Sequence, residues 1–320
     1  MNPALSVLFF STLSGAGYGL LFWTALLALT GGSRPQPFSL LVAMLVAMLL
    51  VSIGLLSSLF HLGKPQRAWR ALSQWRTSWL SREGVAAVAT YVPALLLTGL
   101  LWLEYLDPTS FVFSGRPALL VVAVCVGLAA CAMLTVACTA MIYASLKPIP
   151  AWRHRSVLPS YLLFSLCTGG LLVMALSAQD VARLGLVSPL VAMALLILLL
   201  LTKWRYWRDM DGKPLPATRG DAIGLPQRTA TVFERPHTEA NYITREMAFG
   251  VARAHARKLR LLAMVLFGVL PLVSLLPTLV FGQMDETFCL SLGALSALAG
   301  AFVERWLFFA EAKHTVTLYY

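Results

Sequence analysis

Residues 117–146 read PALLVVAVCVGLAACAMLTVACTAMIYASL, without one charged side chain. A helix needs about 20 residues to cross a bilayer core of roughly 30 Å, so this run is long enough to span a membrane. Its apolar residues are continuous rather than alternating, which fits a helix that satisfies its own backbone groups and not a barrel strand. Working outward, seven further runs of the same character occupy 4–30, 38–62, 83–103, 159–178, 185–202, 261–282 and 287–309. The expected fold is all-α: a polytopic membrane protein built as a bundle of eight transmembrane helices.

Composition agrees. Of 320 residues, 58% are hydrophobic and 12% charged. A soluble domain carries about 25% charged residues, so half of the usual polar cover is missing and lipid must replace it. The N-terminal MNPALSVLFF has no basic leader and the first run is too long for a signal-peptide core, so no cleaved segment is expected.

Lysine and arginine set the topology. Lys64, Arg67, Arg70, Arg76 and Arg82 follow the second run; Lys147, Arg153 and Arg155 follow the fourth; twelve lie between Lys203 and Arg260; Lys313 is in the tail. The opposite loops hold Arg34, Arg116 and Arg183. Basic loops stay on the cytoplasmic side, which places both termini in the cytoplasm. The formal charge of +11 is thus a topology signal. It is not a basic face on a soluble domain, so no nucleic acid is expected as partner and the lipid bilayer is. Trp69, Trp75, Trp79, Trp152, Trp204, Trp207 and Trp306 fall near the basic side and read as interfacial anchors.

Organisation is one membrane domain over 1–320 with one long excursion, the basic loop 203–260, rich in proline and glycine in its first half. From Glu239 to Arg260, Ile243, Met247 and Val251 recur every four residues with arginines on other faces, which predicts an amphipathic helix for lipid contact or partner docking. Gly15 and Gly19 in the first run echo Gly169 and Gly170 in the fifth, which reads as close helix packing.

Metal chemistry is not expected in this chain. Cys125, Cys131, Cys138, Cys167 and Cys289 lie in apolar runs with no CxxC pair. His61, His154, His237, His255 and His314 give no pair within helices for axial ligation, so no haem is expected.

The candidate chemistry sits at the second hairpin. His61 ends one run and Glu83 begins the next, with LGKPQRAWRALSQWRTSWLSR between them. Two readings stand side by side. In one, Glu83 merely favours the positive end of its helix dipole and His61 caps a turn. In the other, the hairpin forms a quinone pocket at the lipid boundary: Glu83 and His61 exchange protons, and Arg67 or Arg70 steadies the negative charge that develops on the ring. A transporter would place charges or broken helices near the bilayer midplane, yet runs one, two, four, five and seven carry no charge. A purely structural anchor remains a third possibility.

The segment His61-Leu62-Gly63-Lys64-Pro65-Gln66-Arg67-Ala68-Trp69, continuing to Ser78-Trp79-Leu80-Ser81-Arg82-Glu83, resembles the membrane anchor subunits of the dimethyl sulfoxide reductase family. Those anchors show a His-Leu-Gly-x-Pro-x-Arg-Ala run followed by Leu-Ser-x-Glu at this spacing, within an eight-span plan that covers most of the chain. The resemblance implies an anchor that binds quinone (ubiquinone or menaquinone) and holds an iron–sulfur subunit joined to a molybdopterin catalytic subunit, with the metal centres in those partners. It implies that His61 and Glu83 contribute to the quinone site, with Arg67 matching the motif as well.

Phe233-Glu234-Arg235-Pro236-His237-Thr238, Asn241-Tyr242-Ile243-Thr244-Arg245-Glu246-Met247 and Phe302-Val303-Glu304-Arg305-Trp306-Leu307-Phe308-Phe309 are similar to the anchor of cytoplasmic sulfite dehydrogenases. That branch implies a bacterial inner membrane location and electron flow from sulfite to the quinone pool; the wider family also implies the reverse, a quinol-oxidising anchor. One departure stands out: Ala301 aligns where some family anchors carry an acid, and Glu304 comes almost one helical turn later, so Glu304 is given no role.

Overall fold

The computed structural model describes residues 3–30, 36–107, 118–178, 184–212, 217–234, 255–280 and 286–318. Among these, eight helical segments are long and apolar enough to cross a membrane: α1 Leu5–Leu29, α2 Pro37–Phe60, α3 Trp79–Leu106, α4 Leu119–Ala144, α5 Val157–Leu176, α6 Val187–Gly212, α7 Ala256–Leu279 and α8 Thr287–Ala310. The chain is a multi-pass helical membrane protein.

Burial sorts the helices into two rings. In α1 and α5, 61% and 67% of the apolar stretch lies buried inside the protein, against 22–39% in the other six. α1 packs against α2, α4 and α5, and α5 also packs against α4, α6 and α8. Side chains of the outer helices such as Leu45, Leu49, Leu95, Leu198 and Leu295 point outward and are exposed, as lipid-facing positions require.

The two central helices touch backbone to backbone. A Cβ on Gly19 would overlap the Ser165 carbonyl, and one on Gly169 would overlap the Gly19 backbone. Lipid tails are as apolar as leucine, so such close small-residue contacts, rather than a hydrophobic drive, hold membrane helices together. Cross-helix bonds reinforce the crossing: Ser165 Oγ donates to the Gly15 carbonyl at 2.7 Å and Trp23 Nε1 to the Leu166 carbonyl at 2.9 Å. The glycine echo between these helices is therefore a packing feature. Gly169→Leu is expected to lower the melting temperature of the detergent-purified protein sharply, because neither backbone can yield. Gly127→Leu, with open space around the added atoms, serves as the control and should melt near wild type.

Two helices deviate from α geometry where they meet the centre. α1 opens into a π turn at Phe10–Ser14, and α7 does so at Val265–Val269 before Pro271. Such turns lengthen the backbone ring by one residue and are frequent at functional sites.

Two boundaries differ from the sequence expectation. α6 continues to Gly212 and α7 begins at Ala256, so Lys203 and Arg260 belong to helices and not to a loop spanning 203–260. The reason is a charge partner for each within the protein. The proposed amphipathic helix over 239–260 lies outside the described residues except at its end, where Ala256–Met264 forms the first part of α7. Trp152 and Trp207 are also not interfacial: both are buried, and Trp152 Nε1 donates to the Phe308 carbonyl at 3.1 Å. Trp69, Trp75 and Trp204 are exposed, as boundary anchors would be.

Candidate functional site

The hairpin after α2 closes with two short 3-10 helices. Ser58–His61 ends α2, and Pro65–Gln74 follows after Gly63. Proline fixes the start of the second, since a missing N–H costs nothing in a first turn. The segment is amphipathic and lies back over the start of α3: Ser81 Oγ donates to the Ala71 carbonyl, and Leu72 covers Gly84. Arg82 locks the turn from the other side, donating to the Trp75 carbonyl at 3.0 Å and the Arg76 carbonyl at 2.6 Å.

Arginine and tryptophan alternate along this strip as stacked pairs. Arg70 lies over Trp69, Arg76 over Trp75 and Arg82 over Trp79, the last at 4.3 Å from the ring centre. Flat cations over flat rings suit a headgroup-level surface, where one face is apolar and the other wet. Arg67 is exposed on this strip, whereas Glu83 is buried. The backbone of His61 stands at the end of the first 3-10 turn.

Glu83 points the other way, into the bundle. Its Oε1 accepts from Thr139 Oγ1 of α4 at 3.2 Å. Thr139 also donates back to the Thr135 carbonyl at 3.1 Å, and Thr135 meets Thr90 of α3 at 3.2 Å. A hydroxyl ladder therefore joins α3 to α4 beside the carboxylate. A buried carboxylate with a hydroxyl partner is an expensive group to keep, and in membrane helices such groups are functional more often than structural. The sequence pattern found Glu83 but gave no sign of Thr139, because a threonine in an apolar helix reads as satisfied by its own backbone.

Behind Thr139 lies a polar cavity of about 20 Å³, bounded by α1, α4, α5 and α8 and including Thr12, Tyr18, Tyr161 and Arg305 in its wall. That volume admits about one ordered water and no ring. A second, larger cavity of about 360 Å³ opens between α1, α5 and α6, lined by Trp23, Leu27, Leu171, Met174 and Leu195 among other apolar residues.

Sequence reading missed a second set of charges. Lys203 of α6 is fully buried and ion-pairs with Glu304 of α8, while Arg305 Nη1 stands 3.6 Å from the other Glu304 oxygen. Aromatic rings shield both cations: Lys203 Nζ lies 4.0 Å from the Tyr206 ring centre, and the Arg305 guanidinium 3.7 Å from that of Tyr161. Nearer the chain ends, Arg260 donates to Glu311 at 3.0 Å and to Asp211 at 2.7 Å, tying α6 and α7 to the end of α8. Burial pushes the Glu311 carboxyl up from its ordinary value, against the opposing pull of Arg260. The available signal was Glu304-Arg305 standing inside an apolar run with Lys203 at the end of another, since charges in spans seek partners.

Comparison with known proteins bears on the whole chain. The family model for the DMSO reductase anchor subunit (DmsC) matches residues 1–310. The corresponding sulfite dehydrogenase component of Allochromatium vinosum is 32% identical over 326 aligned residues, covering 100% of this chain and 99% of that protein. No solved structure matches. With eight spans in the bundle, a family match over nearly its full length and a relative aligned end to end, the chain belongs to the DMSO reductase anchor subunit family.

Proposed function

We propose that this chain is the quinone-interacting membrane anchor of a molybdopterin and iron–sulfur oxidoreductase in a bacterial inner membrane, passing electrons from sulfite oxidation to the quinone pool. The family supports the anchor role, and the relative from Allochromatium vinosum, by its name, supports the sulfite branch. The observation that carries the quinone reading is the buried Glu83 carboxylate, held by Thr139 directly behind an Arg–Trp strip at the membrane boundary.

The residues fit a quinone at the rim of this hairpin and not in the closed cavity behind it. Exposed Phe60 and Leu80 offer an apolar approach from lipid, and the strip offers guanidinium donors. A quinone bound there would take up two electrons and two protons. Glu83 holds and releases a proton at its carboxyl oxygens, Thr139 keeps that carboxyl oriented, and Arg67 with Arg70 supplies positive charge toward a ring carbonyl. His61 stands at the same turn, on the stretch of chain that enters the strip. The iron–sulfur and molybdopterin partners would dock on the face that carries the basic loops, which the basic excess assigns to the cytoplasm together with both termini.

The family description also favours a second direction, in which the same site oxidises quinol to feed a reductase. The deciding experiment purifies the tagged chain from its native membrane in mild detergent. The expected result is co-purification of an iron–sulfur and a molybdopterin protein, with molybdenum, iron and extractable quinone in the preparation, and sulfite-dependent quinone reduction. Recovery of the chain alone in several gentle detergents, without quinone, would overturn the anchor reading.

A further inference from the structure

The cavity behind Thr139 has three hydroxyls with nothing to bond. Thr12 Oγ1, Tyr18 OH and Tyr161 OH are buried without a hydrogen-bond partner, and all three residues line this one space. An orphaned buried hydroxyl costs about 1–3 kcal/mol, and proteins meet such a cost with ordered water. The remaining wall hydroxyls are already committed: Ser11 donates to the Leu8 carbonyl, Ser14 to that of Phe10, Ser165 to that of Gly15 and Thr168 to that of Phe164. Three free hydroxyls and the Arg305 guanidinium thus converge on a volume that fits about one water.

The local backbone is shaped for the same purpose. Thr12 stands in the π turn Phe10–Ser14, which departs from the α pattern where α1 borders the cavity. On one side of the space is Thr139, whose hydroxyl is bonded to Glu83. On the other side are Tyr161 and Arg305, which also border the Glu304 carboxylate. Glu304 Oε2 has no hydrogen-bond partner either, and neither does Ser160 Oγ beside it. Two buried carboxylates therefore face one another across a chain of hydroxyls with a single gap in the middle.

We propose that water bound in this cavity links Glu83 to Glu304, making Glu304 a second proton-exchanging group that serves the quinone site. The inference rests on the quinone reading above. In the reducing direction, two electrons arrive from the iron–sulfur partner and two protons are drawn through Glu83; each proton Glu83 gives up is replaced across the water from the Glu304 side. Lys203 and Arg305 hold Glu304 in place, so it accepts and releases a proton without leaving the pair. Thr12, Tyr18 and Tyr161 are positioning residues that hold the water.

The test uses the complete complex purified from native membranes, as wild type, Thr12→Val, Tyr161→Phe and the double variant. Each change removes one orphan hydroxyl and keeps the side-chain shape, and Tyr161→Phe keeps the ring under Arg305. In a dry, purely structural cavity, losing an unpartnered hydroxyl is neutral or mildly stabilising. The inference instead expects ordered density between Thr12, Tyr161 and Thr139 in a high-resolution electron cryo-microscopy map of the wild type, absent from the double variant. It also expects quinone-linked turnover to fall about tenfold or more in the double variant, while reduction of a soluble dye by the catalytic partner stays at the wild-type rate. An empty cavity in the wild-type map, or a double variant that reduces quinone at the wild-type rate, overturns it. A wild-type complex that reduces no quinone at all fells the functional reading as well, whereas a wild type that turns over beside indifferent variants fells only the cavity proposal.

Discussion

Glu83→Gln is expected to leave the complex assembled and to cut quinone-linked turnover by about 100-fold or more, the usual worth of a positioned general acid–base group. The glutamine carbonyl still accepts from Thr139 Oγ1, so the α3–α4 contact survives and the fold has no reason to change. What is lost is the ability to take and give a proton. Dye-linked activity of the catalytic partner reports assembly, and quinone-linked activity reports the site; their ratio isolates the proton step. An unchanged ratio removes Glu83 from the mechanism and leaves the hairpin as a structural boundary. Arg67→Ala should behave differently: an exposed side chain at the surface of the strip has little to contribute to stability, so any effect belongs to quinone or partner binding.

Lys203→Met is expected to destabilise the protein by about 3–5 kcal/mol, because removing one member of a buried ion pair leaves the other charged and short of a partner. The relevant measurement is the melting temperature of the detergent-purified complex. Lys203→Met combined with Glu304→Gln should recover most of the loss, since the neutral amide still accepts from Arg305 while no carboxylate is left without its lysine. Failure of that recovery would show that Lys203 contributes through its packing on Tyr206 and Trp207 rather than through charge. The rescued variant is informative for function too. It should be stable and still slow with quinone if Glu304 passes protons.

The eight spans were legible from sequence because continuous apolar runs leave few alternatives in a bilayer. Their ends were not. Lys203 looked like the first residue of a basic loop, and only its pairing with Glu304, far along the chain, shows why α6 runs on to Gly212. Charge counting assigns a lysine to water by default, and a distant carboxylate overrides that default without leaving a local trace. The same holds for the site. Glu83 was found from its place in a short motif, and its partner Thr139 was not, because a single hydroxyl in an apolar helix has no spacing to recognise. Trp152 and Trp207 misled in a related way: their position near the basic side was right, but both turn inward onto the α8 end and the Lys203 pair.

The π turn at Phe10–Ser14 sets a register for everything before it. A π turn is, in effect, one residue more than an α-helix needs, and that residue rotates the preceding segment by about 100° and shifts it by about 1.5 Å. Deleting one residue there would let α1 relax to an unbroken α-helix without disturbing the Gly19–Gly169 crossing beyond it. Thr12 would then swing off the cavity, although the helix itself would be better bonded than before. The first helix thus holds two addresses along one chain, an anchored half fixed by glycine contact and an adjustable half fixed by a single inserted residue. An insertion or deletion in this short segment, rather than a substitution, is the change by which a relative could keep the bundle and lose the water.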